Sequence, residues 1–336
     1  ASDKADLPVY CEIVRTVRDQ GRRVILVAGG IEPLAIHQLL LEGAGGLVPY
    51  PMPHGALSAA IRRAVKAAAV SQGQTANSVD REGVVIPIYG LSGGAGASTL
   101  AVNLAWELAT VKAREKPKVC LLDLDLQYGS VAAYLDLPRQ ESIFELQSEC
   151  GWMDRDAFLQ FLHPYREKLS VLSAPREIVP LDLVTPEDVS RLIATARSNF
   201  DFVVVDLPTA VTNWTEGILN AADVFFAVMQ LDIRTGHNAS KFIQTLKDEG
   251  LPQEKVRYVI NRVPKFGGRG KTRSMADGLD IRLEGLMPEG GDAVRQGCNS
   301  GQPIALSSPR NRFRKEVARL SKRIVSARAA KVAAES

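Results

Sequence analysis

The sequence predicts an α/β protein whose main domain is three-layered, with a mostly parallel sheet covered by helices on both faces. Six short apolar runs carry this expectation: "VVIPIYG", "KVCLLDLD", "LSVLSA", "FDFVVVDLP", "DVFFAVMQ" and "VRYVINRV". They lack the apolar/polar alternation of a half-exposed strand, as strands buried on both faces do. Helical stretches such as "LAVNLAWELAT" and "SRLIATARSNF" separate them, and strand–helix alternation is the pattern of a parallel sheet. A glycine-rich turn joins the first run to the first helix of this domain.

The 336 residues allow a large domain and a smaller one. In the first 70, a polar helix near residues 9–20 is followed by the strand "RRVILVAG", the helix "EPLAIHQLLLEGA", the strand "GLVPY" and the amphipathic helix "GALSAAIRRAVKAAAV". Residues 71–82, "SQGQTANSVDRE", are polar and aperiodic and read as a linker. The main domain then spans 83–326, and the alanine-rich residues 327–336 are expected to form a flexible tail. Cys11, Cys120, Cys150 and Cys298 are scattered without a CxxC pair, which argues against a disulfide framework or a zinc site. No apolar run has the roughly 20 residues of a membrane span, and the start lacks a signal-peptide pattern, so a cytoplasmic chain is expected. A net charge of +3 does not by itself imply nucleic-acid binding.

The chemistry centres on "LSGGAGAST", residues 91–99, between a buried strand and an apolar helix. Gly93, Gly94 and Gly96 let backbone N–H groups converge, and the helix that follows adds the positive end of its dipole, so an anion can bind without a side-chain charge. Further along, Asp123 and Asp125 follow one apolar strand, Asp206 ends another, and Asn261 lies in a third. All fall toward the C-terminal ends of expected parallel strands, where ligands of such sheets bind. "FGGRGKT", residues 266–272, is discounted as a phosphate loop because no apolar helix follows it, and it is read as a mobile basic loop, 265–273. The segment 309–331 carries nine Lys/Arg against one Glu, with Phe313, Val317, Leu320 and Ile324 in one stripe, and is read as a docked helix with a solvated basic face.

The glycine loop resembles the deviant Walker A loop of the MinD/ParA superfamily. The resemblance covers about three quarters of the chain and implies a P-loop NTPase-like fold. Aligned on its motif, Ser92 stands where the family has its signature lysine and Ala97 where it has a second lysine, while Ser98 takes the place of the Mg²⁺-ligating hydroxyl. The resemblance assigns Gly93, Gly94, Ala95, Gly96, Ala97, Ser98 and Thr99 to the phosphates. It places Asn261, Arg262, Pro288 and Glu289 at the base, Asp123 and Asp206 near Mg²⁺ through water, and Asp125 as the carboxylate that orients attacking water. "LDLDLQYGSVAAYLDL" is most similar to the pilus-assembly branch, CpaE/TadZ, whose members join a receiver-like domain to an atypical ATPase domain. The N-terminal module, 1–70, resembles the second half of a receiver domain, a flavodoxin-like fold, but Tyr50 and Pro51 replace its lysine–proline pair and no phosphoacceptor strand precedes Val24. A non-phosphorylatable docking or dimerisation module is expected, and whether it is truncated stays open.

These resemblances imply a nucleotide-binding homodimer of ATP or ADP with Mg²⁺, a localisation or scaffold factor for type IV (Tad/Flp) pilus assembly. Its partners are pilus and secretion machinery proteins, and a cell pole or the inner-membrane surface is reached indirectly through them. A lysine or arginine clamp acts mainly on charge developing in phosphoryl transfer, so Ser92 and Ala97 predict binding with little or no hydrolysis. The alternatives are a vestigial, empty pocket, a ParA-like partition ATPase acting on DNA, or an orphan signalling adaptor working through the receiver-like module. DNA is not the expected partner.

Overall fold

The computed structural model describes residues 7–20, 24–28, 39, 42, 44–49, 82–112, 116–138, 155–178, 180–181 and 184–335. The chain divides into two compact units, 1–80 and 81–336. In the first, α1 (Leu7–Asp19) precedes the parallel strands β1 (Val24–Ala28) and β2 (Ala44–Pro49). Val14, Leu39 and Ala44 form its small buried cluster. Arg15 donates to both oxygens of Glu42, at 2.7 and 2.9 Å. The helix expected over 55–70, Tyr50 and Pro51, and linker residues 71–81 lie outside the described residues.

The second unit is built on eight strands in the order β10-β9-β8-β3-β7-β4-β6-β5. The six apolar runs form β3 (Val84–Gly90), β4 (Val119–Asp123), β6 (Leu169–Leu172), β7 (Phe202–Asp206), β8 (Phe225–Met229) and β9 (Val256–Val263), all mutually parallel. β5 (His163–Tyr165) adds an antiparallel edge, and β10 (Leu283–Pro288) a parallel one. The side chains of each strand split by parity. Val85, Leu122, Val203, Val205, Phe225 and Ala227 enter one core, whereas Ile86, Ile88, Leu121, Val204, Phe226 and Val228 enter the other. Both faces are therefore apolar, which is why the runs show no alternation.

The helices supply the two outer layers. α2 (Ala97–Ala109), α3 (Val131–Tyr134) and the C-terminal helix contribute to the second core. On the other face lie α4 (Arg155–Phe161), α5 (Pro186–Asn199), α6 (Thr215–Ala221) and α7 (Ile233–Asp248). α5 starts at a capping box, with Thr185 and Asp188 satisfying each other's backbone N–H groups, and Pro186 at its first position. α8 (Gly268–Leu279), α9 (Asp292–Asn299) and α10 (Ile304–Ser307) follow. The chain ends in α11 (Arg312–Glu335), which lies on α2 and β10.

Two local expectations are corrected. Most of the basic segment 265–273 is not a loop: from Gly268 it is helical, because Thr272 and Ala276 are buried at i, i+4 and Gly267, at φ 69°, makes the left-handed turn that starts α8. Residues 327–335 are helical rather than a loose tail. Alanine has the highest helix propensity, and Arg328 anchors the last turns on Asp201 at 2.6 Å while lying 5.1 Å from the Phe202 ring centroid. The stripe of Phe313, Val317, Leu320 and Ile324 is buried, and many α11 cations are engaged: Arg314 with Glu107, Arg319 with Glu316, Arg323 with Glu284 and Lys331 with Asp223.

Leu320, 1% exposed, gives the test of this docking. Leu320→Ala should cost about 2–5 kcal/mol of unfolding free energy by urea titration, the usual range for a buried leucine truncation. A loss under about 0.5 kcal/mol, the range of surface substitutions, would show that α11 is not part of the core.

Candidate functional site

The glycine loop lies at the C-terminal end of β3, in the middle of the sheet. Gly94 at φ 75° and Gly96 at φ 95° adopt left-handed backbone that suits glycine. Gly96 is also a close approach, since a Cβ there would stand 2.2 Å from Asn261 Nδ2. α2 begins at Ala97 with Gly96 as its N-cap residue and no side-chain cap. The N–H groups of its first turn thus lack a side-chain acceptor and face the helix's positive end, the arrangement that attracts phosphate.

Three neutral amides fasten the loop from below. Asn238 Nδ2 donates to the carbonyl of Leu91 at 2.7 Å, Gln230 Nε2 to that of Gly94 at 2.8 Å, and Asn261 Nδ2 to that of Ala95 at 2.8 Å. Asn261 is buried, and its Oδ1 accepts the N–H of Arg262 at 2.9 Å. The residue assigned to the base thus spends its amide on the loop itself. Ser92, where a lysine was sought, is 6% exposed and its hydroxyl has no hydrogen-bond partner.

β4 and β7 pair in register at Asp123 and Asp206, and Ile88 of β3 stands opposite Asp206 on the other side. Both carboxyl groups are fully buried. Asp123 is held by the N–H groups of Asp125, 3.2 Å to Oδ1, and Val131, 3.1 Å to Oδ2. Burial nevertheless pushes its pKa up to about 7, with the charge of Asp125 adding to the rise and backbone N–H groups opposing it. Asp206 is also raised well above the ordinary carboxylate range, first by burial and then by the neighbouring Asp123. The Ser98 hydroxyl faces Asp206 and lowers its pKa somewhat, but neither oxygen of Asp206 has a hydrogen bond of good geometry. Two orphaned, buried carboxylate oxygens beside a hydroxyl suit a hard cation that takes oxygen ligands.

Asp125 is half-buried, and its Oδ1 accepts the N–H of Tyr128 at 3.1 Å, closing the turn after β4. Gly129 completes this turn, because a Cβ there would lie 2.6 Å from Asp123 Oδ2 and 2.3 Å from the Ala174 Cβ. Pro288 ends β10 and Glu289 follows it, with the Glu289 N–H on the Val263 carbonyl at 3.2 Å; Arg262, at φ 51°, is exposed beside them. The structure therefore gathers the loop, the acid pair and the four residues assigned to the base along one end of the sheet. Gln230, Asn238 and Gly129 were missed. Gln230 ends the run "DVFFAVMQ", and a polar residue closing a buried strand is the one signal that could have found it.

The same end is rimmed by exposed apolar side chains. Tyr128, Ile178, Val211, Ile233 and Phe266 follow β4, β6, β7, β8 and β9 respectively, and each is between 64% and 92% exposed.

The raised acid pair has a stability consequence. A carboxyl whose folded pKa lies above its unfolded value holds its proton more tightly when folded, so between about pH 4 and pH 7 its contribution falls as pH rises. Asp206→Asn cannot ionise, so its stability relative to the unsubstituted chain should rise between pH 4 and pH 8. Urea titrations at the two pH values measure this, and a relative stability no higher at pH 8 than at pH 4 would contradict the assignment of Asp206 as an unpaired buried acid.

The AAA domain family matches residues 83–252 of this chain. Among curated proteins, the septum site-determining protein MinD of Thermotoga maritima is 24% identical over 247 residues, covering 72% of this chain and 88% of that protein. The MinD of Bacillus subtilis is 25% identical over 246 residues, covering 72% and 89%. Among solved structures, a ParA family ATPase from Chlorobium tepidum superposes with a TM-score of 0.65 at 19% identity, over 72% of this chain and 98% of that one. MinD of Pyrococcus horikoshii complexed with Mg-ADP gives 0.57 at 18% identity, over 72% and 95%. These structures share the fold, a parallel-sheet P-loop architecture. Sequence and fold together show that the chain belongs to the AAA domain family, in the MinD/ParA superfamily of P-loop ATPases.

Proposed function

We propose that this chain is a nucleotide-binding localisation or scaffold factor of type IV (Tad/Flp) pilus assembly, of the CpaE/TadZ kind, that holds ATP or ADP with Mg²⁺ and hydrolyses it weakly or not at all. The observation that carries the nucleotide reading is the intact cradle around a neutral loop. Glycines and an uncapped helix start lie beside orphaned Asp206, while Ser92 and Ala97 bring no cation. Support for the pilus branch is the segment 122–137 and a chain layout of a receiver-like module at 1–70, a linker at 71–82 and an ATPase-like domain from 83.

In this reading residues 93–99 wrap the phosphates, with the backbone N–H groups of Gly93, Gly94 and residues 96–99 as donors and the Ala95 N–H closing the loop on Ser92. Ser98, Asp206 and Asp123 hold Mg²⁺, the aspartates through water, and Asn261, Arg262, Pro288 and Glu289 border the base. Mg²⁺, when bound, supplies charge neutralisation between the phosphate oxygens. Asp125 is the candidate to orient water, but its Oδ1 is already committed to the Tyr128 N–H. Ground-state binding groups are thus kept while cations that favour the transition state are gone, and only groups that bind the transition state better than the ground state raise the rate.

A second copy is the expected partner at the loop end, where the apolar rim of Tyr128, Ile178, Val211, Ile233 and Phe266 supplies surface to bury. MinD of Aquifex aeolicus has been solved with its partner MinC, and pilus or secretion proteins are the corresponding partners proposed here. Among the described residues no helix is long and apolar enough to cross a membrane, so a pole or inner-membrane surface is reached from the cytoplasm through those partners.

Calorimetry with ATP and Mg²⁺, beside a phosphate-release assay, tests this reading, with heat of binding and no turnover as the expected result. Absence of heat would mean an empty pocket. Ser92→Lys together with Ala97→Lys should raise turnover at least tenfold if the acids are otherwise placed for catalysis, a small part of the ~10³–10⁵ that a single cation can supply. Sedimentation should show a dimer, and a strict monomer with and without nucleotide would remove the second copy. Salt-sensitive DNA binding together with hydrolysis would favour the partition reading instead.

A further inference from the structure

We infer that Gln230 and Asn238 are positioning residues of the phosphate loop, setting its peptide planes, and so its shape, in place of charged side chains; this rests on the nucleotide reading above. The peptide unit is planar and trans, so its C=O and N–H point in opposite directions. Fixing a carbonyl therefore fixes the N–H of the next residue. Asn238, by holding the Leu91 carbonyl, aims the Ser92 N–H away from itself, and Asn261 does the same for the Gly96 N–H through the Ala95 carbonyl. Gln230 holds the Gly94 carbonyl, which sets the peptide whose Ala95 N–H closes the loop onto the Ser92 carbonyl at 3.1 Å.

Gly93, Gly94 and Gly96 have little backbone preference of their own, so loop shape has to come from outside. Within the loop, the Ser92 hydroxyl gives no help, being buried without a partner. Among the described residues, the side chains that donate to the loop carbonyls are these three neutral amides.

Gln230 and Asn238 belong to one rigid bracket between β8 and α7. Asp232 caps α7 by accepting the Thr235 N–H at 2.8 Å, and the buried Thr235 hydroxyl donates to the Gln230 carbonyl at 2.8 Å. The capped helix thus fixes both amides relative to the sheet, and the sheet fixes the loop, with Leu91 N–H on the Val228 carbonyl at 2.9 Å. The bracket touches no anion in this reading; it acts through the peptide planes.

Gln230→Met and Asn238→Leu keep size and remove the donor without adding charge near a phosphate. In the full chain, hydrogen exchange of the Ala95 amide, which is bonded within the loop, should accelerate about tenfold in Gln230→Met, and that of the Leu91 amide in Asn238→Leu, while exchange in the β7 core stays unchanged. Affinity for ADP and ATP should fall about three- to tenfold per lost hydrogen bond, with AMP binding unaltered, because only the longer phosphate chain depends on loop shape. Unchanged exchange at Ala95 in Gln230→Met, or an equal loss for AMP and ADP, would overturn the assignment. Exchange is read without nucleotide, so a wild-type chain that takes up no ADP would sink the nucleotide reading while the exchange data still decide the bracket. Gln230, at a partly exposed position, provides a variant that folds even where Asn238→Leu does not.

Discussion

Two carboxyl groups buried side by side at the ends of β4 and β7 constrain everything around them. Register alone places Asp123 opposite Asp206, and two ionised carboxylates so close in an apolar sheet would repel and pay a large desolvation cost. The chain resolves this unequally. Asp123 receives backbone N–H groups from the turn after β4 and the start of α3, with Gly129 making room for them. Asp206 receives none. An apolar residue at the end of β7 would fold with less strain, so the unsatisfied acid there costs stability that nothing in the fold itself offsets.

The glycine loop shows the complementary problem. Amide side chains from three positions take up the carbonyls of Leu91, Gly94 and Ala95, and the N–H groups of Leu91 and Ala95 are bonded too, while α2 starts without a side-chain cap. A negative acid pair and a positive helix end in neighbouring strands make a site polarised along the sheet edge. Such a site suits an anion and a cation together better than either alone, because each bound charge relieves the other's surroundings.

Much of this was legible in the sequence. The six buried strands were, because a strand covered on both faces must be apolar at every position, and each of the runs does form a strand. The glycine loop was legible because φ above zero at Gly94 and Gly96 demands that residue type. The edge strand β10 was not, since its half-buried "LEGLMP" carries a glycine and a glutamate and has no clear strand period. Helix α8 was hidden for a related reason: its buried stripe uses Thr272 and Ala276, residues too small or too polar to register as an apolar face. Asn238 was illegible in principle, because an amide on a helix that bonds a distant carbonyl leaves no local pattern, and Gln230 left only its place at the end of a buried strand.

What the loop lacks bears on rate more than on binding. Backbone dipoles raise the rate of phosphoryl transfer only so far as they meet charge that grows in the transition state. A lysine or arginine placed at the transferring group adds a full charge there. In this loop the position nearest that task is Ser92, whose hydroxyl is buried and unpartnered, and the donors that do reach the loop are fixed amides bonded to its carbonyls. The loop is neutral, and the side chains that reach it are engaged by its carbonyls, so a cation at the transferring group would have to come from outside the loop.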